Sequence, residues 1–388
     1  MIAPTPFFSD RGAHVQIYEQ AHALKTLNHQ VYILTYGIGK TPPNLKVFRC
    51  WTPKNYSKTT AGPSLTKLLL IPVMVFNLIK LKIKLKPDVL HAHLHEGALI
   101  AKLGAITRKT PTVFDYQGSL SLEMAQYLDI RRDGFIFKLL KIIERRINSW
   151  TVVVTQSSKM VDEIIQNQRN SKGVINVKDG VDLERFKKSV PDKFLMAKYD
   201  LNDTDIKIIF MGYFAEHQGF SILLKAFELL LTKIPNVKLL LIGYPLTSDY
   251  EKLLNKLGIK KSVINFGRID YFEVHKYLAL GNLAVAPKIS ETEGDGKIYH
   301  YMAMGLPVVA FDRDVSREIL EDTGVFCNSI SSESLAEGLM RAIKSPVDFG
   351  VQSRILAERK LSWVKVAEKL EKVYISEVDT FMKKEFKN

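Results

Sequence analysis

Short apolar runs alternate with amphipathic stretches along most of this chain. Val31–Thr35, Asp88–Ala92, Thr112–Asp115, Thr151–Thr155 and Val174–Val177 read as strands. After a break the pattern resumes with Ile206–Met211, Val237–Ile242, Val263–Phe266, Leu283–Ala286 and Pro307–Phe311. Helical spacing fills the intervals at Gly12–Thr26, Ser157–Gln166, Gly219–Leu231 and Ser248–Leu257. Strands that are apolar along their whole length are buried on both faces, so the pattern predicts parallel sheets covered by helices above and below. Two such series predict two Rossmann-like, doubly wound α/β domains facing a central cleft, with ligands outside the carboxyl ends of the strands. The break falls near Asp182–Asp205, where Lys187-Lys188-Ser189-Val190-Pro191 reads as a linker. Residues 1–186 and 187–362 are the expected domains.

Composition agrees with two cores. The chain has 388 residues, 46% hydrophobic and 25% charged, which excludes a disordered or disulfide-scaffolded protein. Two cysteines, Cys50 and Cys327, fit a reducing compartment, and no Cys-x-x-Cys pair marks a zinc site. No signal-peptide pattern follows Met1-Ile2-Ala3-Pro4, so a cytoplasmic protein is expected. The net charge of +14 is uneven: residues 1–186 hold 26 Lys+Arg against 14 Asp+Glu, and residues 187–388 hold 29 against 27. A one-sided basic surface draws nucleic acid, anionic lipid or phosphate-bearing substrates, or simply keeps the chain soluble.

Two segments sharpen the lipid reading. The apolar run Leu68–Phe76, interrupted by Pro72, continues into Lys80, Lys82, Lys84 and Lys86 alternating with Leu81, Ile83 and Leu85. It is shorter than the roughly 20 residues a bilayer span requires. Phe135–Trp150 repeats the theme, with Ile136, Leu139, Leu140, Ile143 and Ile147 on one helical face and Lys138, Lys141, Arg145 and Arg146 as its charge. Such stretches lie in a membrane interface or pack as ordinary helices on a sheet. Nothing resembles a nucleic-acid-binding motif, and no Gly-x-Gly-x-x-Gly follows the first strand, which disfavours nucleic-acid and nicotinamide ligands.

The most informative stretch runs from Ser290-Glu291-Thr292-Glu293-Gly294-Asp295-Gly296-Lys297 into Ile298-Tyr299-His300-Tyr301-Met302-Ala303-Met304-Gly305-Leu306-Pro307-Val308-Val309. A strand end, a glycine-bearing loop and a helix of about two turns form an anion site through exposed N–H groups and the helix dipole. Lys297 in the first turn adds a point charge for a phosphate.

These residues resemble the donor-binding segment of the family-4 (group 1) retaining glycosyltransferases of GT-B fold. Other pieces follow that family's order: Pro6-Phe7-Phe8-Ser9-Asp10-Arg11-Gly12-Ala13, Leu27-Asn28-His29-Gln30-Val31, Pro87-Asp88-Val89-Leu90-His91-Ala92-His93, Asp179-Gly180-Val181-Asp182-Leu183-Glu184-Arg185-Phe186, and Met211-Gly212 followed by Gln218-Gly219. The resemblance covers residues 1 to about 345. It implies a nucleotide-diphospho-sugar donor, UDP- or GDP-linked, held mainly by the second domain, and a carbohydrate or lipid-linked acceptor held by the first. Transfer with retention, no cofactor and no obligatory metal are also implied. Donor-binding positions are then Gly12, Gly212, Tyr213, Gln218, Gly267, Arg268, Gly294, Asp295, Gly296, Ile298 and His300. Gln117, Glu293 and Lys297 fall to catalysis, and His93, His95 and Asp115 to the acceptor side. The resemblance also leads one to expect the last helix, with Val364, Val366, Leu370, Val373 and Val378, to cross back to the first domain. A glycolipid or polysaccharide acceptor would put the protein on the inner face of a membrane.

Departures from the family pattern are part of the reading. Tyr213 and Gln218 stand where the family has Arg and Lys, and His300 stands at the second of its two Glu positions. Strict spacing puts Thr292 at the first, with Glu293 the nearest acid. Either Lys297, Arg268 or a basic residue of the first domain compensates, or the chain is a catalytically silent GT-B subunit that supports a partner enzyme. His91, His93 and His95 alternate, so a strand would show all three on one face; that spacing also suits a metal, although the expectation is that they line the acceptor side without one.

Overall fold

The computed structural model describes residues 1–9, 12–54, 56, 65–106, 109–167, 173–289, 294–345 and 347–385. Two compact units divide the chain: Met1–Asp179 together with Trp363–Asn388, and Gly180–Ser362.

Unit 1 runs β1 (Ile2–Ala3), α1 (Gly12–Thr26), β2 (Tyr32–Thr35), β3 (Lys46–Arg49), α2 (Leu65–Leu85), β4 (Leu90–His93), α3 (Leu94–Leu103), β5 (Thr112–Tyr116), α4 (Leu120–Leu128), α5 (Phe135–Asn148), β6 (Val152–Thr155), α6 (Ser158–Asn167) and β7 (Val174–Asn176). Its seven strands are parallel in the order β3-β2-β1-β4-β5-β6-β7. Unit 2 runs α7 (Lys193–Lys198), β8 (Ile206–Tyr213), α8 (Phe220–Leu231), β9 (Val237–Tyr244), α9 (Ser248–Lys256), β10 (Val263–Gly267), α10 (Val274–Leu278), β11 (Leu283–Ala286), α11 (Gly296–Ala303), β12 (Val308–Phe311), α12 (Asp314–Leu320), β13 (Val325–Cys327), α13 (Ser332–Lys344) and α14 (Phe349–Lys360). Its six strands are parallel in the order β10-β9-β8-β11-β12-β13. The last helix, α15 (Trp363–Glu385), returns to unit 1, where Trp363, Val366, Leu370 and Val373 pack with Leu24, Val113, Val152 and Val154.

Burial on both faces explains why the central strands were legible as unbroken apolar runs. β6, β11 and β12 are buried at every position. α8 sets Phe220, Leu223, Leu224, Phe227 and Leu230 against the unit 2 sheet at helical spacing. Each such side chain contributes roughly 1.5–3 kcal/mol by leaving water. The apolar run before Phe76 and the lysine alternation after it form one continuous helix, α2, with Pro72 inside it.

One expectation is corrected by backbone geometry. The three histidines do not share a strand: β4 ends at His93, Leu94 takes a left-handed φ of 62°, and His95 lies in α3. Residues 180–186, read from sequence as the end of the first domain, pack with unit 2. The Val181 N–H donates to the Leu361 carbonyl at 2.8 Å, and Arg354 donates to the carbonyls of Phe186 and Ala303.

Glycine is required where loops of unit 2 touch. Gly219 has φ 70°, and a Cβ there would stand 1.9 Å from the Pro287 carbonyl oxygen, so the loop after β8 lies directly on the loop after β11. Gly258 has a similar φ of 67° but nothing within 4 Å. Gly258→Ala is therefore expected to cost about 1 kcal/mol from backbone conformation alone. Gly219→Ala should cost about 3 kcal/mol or more, because backbone must also move. Urea unfolding of both variants checks this, and equal losses would contradict the close approach.

Candidate functional site

In unit 2 the chain goes from β8 outward to β9 and β10 on one side, and from β11 outward to β12 and β13 on the other. The strand order thus reverses between β8 and β11, and the strand ends at such a reversal are where open α/β sheets leave room for a ligand, here beside the contact of Gly219 with Pro287. α11 follows β11 and is pinned to β8: the Met211 N–H donates to the fully buried Tyr301 hydroxyl at 2.7 Å. Its N-terminus is thereby held at the end of β8.

Lys297, in the first turn of α11, is 8% exposed. Its Nζ donates to Gln218 Oε1 at 2.7 Å, stands 3.1 Å from Asp295 Oδ1, and lies 5.1 Å from the centre of the Phe210 ring. Gly212 makes room for it, since a Cβ there would come within 3.3 Å of Lys297 Cε. Burial lowers the Lys297 pKa, Asp295 opposes that shift, and Lys288 adds to it. Lys288 is itself buried and donates to the Gly294 carbonyl at 2.8 Å. Asp295 Oδ2 is buried with no hydrogen-bond partner. Lys297 thus has one carboxylate partner and a second buried lysine near enough to act on it, beside a helix N-terminus. That balance favours an added anion.

The remaining positions divide. Tyr213 is half exposed and meets Tyr244 edge-on at 5.7 Å, and the Arg268 guanidinium lies 5.4 Å over the Tyr244 ring. With Gly267 at φ 71°, they form a row across the ends of β8, β9 and β10, a surface on which a planar ring can stack. His300 points elsewhere: its Nδ1 donates to the Gly296 carbonyl at 2.9 Å and its ring meets Phe186 at 4.4 Å. Burial pushes its pKa down to about 4, so it is neutral near pH 7, with a buried Nε2 that has no partner. Ile298 is core. Glu293, like Asp10 and Arg11 of the first glycine loop, lies outside the described residues. A cavity of about 400 Å³ adjoins Tyr213, between Glu216 and Asp249, and these acids make it unsuitable for a diphosphate.

In unit 1, β4 and β5 bring His93 opposite Asp115. His93 Nδ1 is 2.8 Å from Asp115 Oδ2, to which Gln117 Nε2 also donates at 2.9 Å. The His91 and His93 rings stack 4.5 Å apart, and His91 Nδ1 meets the Tyr374 hydroxyl from α15. All three of His91, His93 and Asp115 are buried, with ligating atoms within 4.8 Å of one another, close enough for one ion. The nearest nitrogens are already hydrogen-bonded to Asp115 and Tyr374. Burial and His93 hold the His91 pKa well below its ordinary value. His95 is not brought to this group; its ring packs on Phe114 and Tyr116. Gly12 opens α1 with no atom near its Cβ position. The loop before it is fastened by buried His14, which accepts from the Ser9 N–H at 3.0 Å and bonds Thr5.

Sequence reasoning passed over His14, Lys288 and Tyr374. Lys288 carried a signal, a lysine two residues past an entirely apolar strand. Tyr374 carried none, since it reaches His91 across 283 residues.

Comparisons with known proteins bear on the family and the fold. Residues 191–361 match the model described as glycosyl transferases group 1, and residues 11–185 that described as glycosyltransferase family 4. A phosphatidyl-myo-inositol mannosyltransferase of Mycobacterium leprae is 28% identical over 173 residues, 43% of this chain and 46% of that protein. The chain thus spans about half the length of the curated relatives it matches. Among solved structures, sucrose-phosphate synthase from Thermosynechococcus elongatus has a TM-score of 0.76 at 18% identity, covering 96% of this chain and 95% of that one. Anabaena HepE in complex with UDP-glucose has a TM-score of 0.76 at 15% identity, covering 97% and 98%.

Asp179 gives the unit 1 group a pH signature. Burial, then the charge of Asp115, raises its pKa from 3.8 to about 8. The unfolded chain releases this proton first, so stability present below about pH 4 is lost as pH rises toward about 8. Asp179→Asn is expected to flatten that fall, which urea midpoints across the range would measure. An unchanged slope would place the carboxyl in ordinary surroundings.

Proposed function

Since this chain belongs to the group 1 glycosyltransferases and has the GT-B fold, we propose that it moves a sugar from a nucleotide-diphospho-sugar to a carbohydrate or lipid-linked hydroxyl. In this reading unit 2 takes the donor and unit 1 the acceptor, and transfer proceeds with retention and without an obligatory metal. The observation that carries it is Lys297, a buried ammonium at the N-terminus of α11, beside a second buried lysine and the open end of β8.

The chemistry asked of the site is stabilisation of a departing diphosphate. The bond from the sugar C1 to the phosphate oxygen breaks, its electron pair leaves with the diphosphate, and the acceptor oxygen bonds C1 on the same face. The acceptor proton passes to the departing phosphate oxygen. Negative charge grows on that oxygen, and fixed N–H groups with an ammonium are the groups that stabilise it. A diphosphate competes with Asp295 for Lys297, and Gln218 steadies the ammonium as it moves. Tyr213, Tyr244 and Arg268 offer a surface for the base. Gln117 has its amide nitrogen on Asp115, so its oxygen is the atom left for a sugar hydroxyl. Glu293 remains the acid proposed beside the reacting sugar on sequence grounds.

A second reading has its own observation. The one ammonium nearest the proposed diphosphate is already neutralised by Asp295, and Tyr213, Gln218 and His300 replace three charged groups of the family pattern. This is what a silent subunit would retain.

Thermal shift with UDP- and GDP-sugars separates the readings, because a ligand of the folded state raises the melting temperature by mass action. Transfer predicts a shift together with product; a shift without product on any acceptor favours the silent subunit. Absence of any shift at millimolar donor overturns the donor site. Lys297→Met is expected to weaken donor binding about 100-fold. Asp295→Asn should strengthen it several-fold by removing the competing carboxylate. Weaker binding in Asp295→Asn would show that the acid supports the donor instead.

A further inference from the structure

α5 is built inside out for a surface helix. Its one acid, Glu144, faces inward and is buried, accepting from the Tyr116 hydroxyl at 2.7 Å, from Ser119 Oγ at 3.0 Å and from the Ser121 N–H at 3.0 Å. Phe137 and Ile147 face inward with it. These bonds fix the rotation of the helix about its axis. The opposite face, turned to solvent, carries Phe135, Ile136, Leu139, Ile142 and Ile143, with Phe135 80% and Ile142 60% exposed. Helical spacing makes these five one continuous stripe. Lys138, Arg145 and Arg146 are also exposed on α5, and Arg132 lies in the loop before it. α4 packs against α5 and ends in exposed Tyr127 and Leu128.

An apolar stripe this size on water is costly unless something covers it. Charge decides the occupant. A second copy placed face to face by a two-fold axis would set one basic rim against another, which like-charge repulsion opposes. An anionic lipid surface meets both features at once, taking the apolar side chains among its acyl chains and the basic ones among its headgroups. With 14 residues α5 is about 21 Å long and too short to span a bilayer, so it would lie in the plane of the interface.

We propose that α5 is the docking helix by which unit 1 seats on an anionic membrane surface, its apolar stripe immersed and its inner face held by Glu144. The inference goes beyond sugar transfer and does not depend on it.

The test is co-sedimentation of the full chain, without donor, with vesicles of phosphatidylcholine alone or with about 30 mol% phosphatidylglycerol. Binding is expected to the anionic vesicles at least about tenfold more tightly, and to weaken as salt is raised. Ile142→Gln with Ile143→Gln should lose about tenfold or more by removing the immersed surface. Lys138→Glu with Arg146→Glu should lose about fivefold per basic residue removed. All four positions are exposed, and an unchanged melting temperature verifies folding. Ile142→Trp gives a second reading, a blue-shifted emission on anionic vesicles if the residue enters the acyl region. Equal binding to both vesicle types overturns the proposal, as do apolar variants that bind like the parent. Light scattering that shows a dimer dissolved by the glutamine pair assigns the stripe to a second copy and overturns it too. Donor-induced stabilisation should be unaltered in all these variants, so failure here is distinct from failure of the donor site.

Discussion

A parallel sheet covered by helices on both faces has no free surface except at the ends of its strands, and both units of this chain live under that constraint. In unit 2 the constraint delivers Tyr213, Tyr244, Gly267 and the start of α11 to one edge; in unit 1 it sets His93, Asp115 and Gln117 at the ends of adjacent strands. The apolar interior supplies stability but no chemistry. Lys297 with Asp295, and His93 with Asp115, sit where strands stop.

The second theme is where the chain puts its acids. Glu144 holds α5, Asp115 holds His93 and Gln117, Asp295 holds Lys297, and burial pushes the Asp179 carboxyl up to about 8. Taking a carboxylate out of water is costly unless donors surround it, and the first three are met by donors or an ammonium. Turning acids inward leaves a surface richer in cations than composition alone would give. The net charge of +14 and its concentration before residue 187 therefore have a structural counterpart in α5, whose only acid is interior.

Much of the architecture was legible because strand burial writes itself as unbroken apolar runs; Leu283–Ala286 appears with the same limits in sequence and structure. The strands that escaped notice were β1, two residues long, β3, which carries Lys46 and Arg49 at a sheet edge, and β13, three residues long. The placement of Lys297 was legible, since a glycine loop meeting a helix start put it in the first turn of α11. The sequence was misleading at His95, because strict alternation assumes a strand and Leu94 breaks it with a left-handed backbone. Partners far apart in sequence left no trace: Tyr374 on His91, Gln218 on Lys297, and Arg354 on the Phe186 carbonyl all require the fold to be known first.

α15 has a consequence for how the molecule is made. Unit 2 is one continuous stretch of chain, Gly180–Ser362, whereas unit 1 lacks part of its interior until Trp363, Val366, Leu370 and Tyr374 have been added. During synthesis the chain of unit 2 is therefore complete before that of unit 1, against the usual amino-terminal-first order. The later unit has its whole chain available while the earlier one still lacks the helix that packs beside α1 on one face of its sheet.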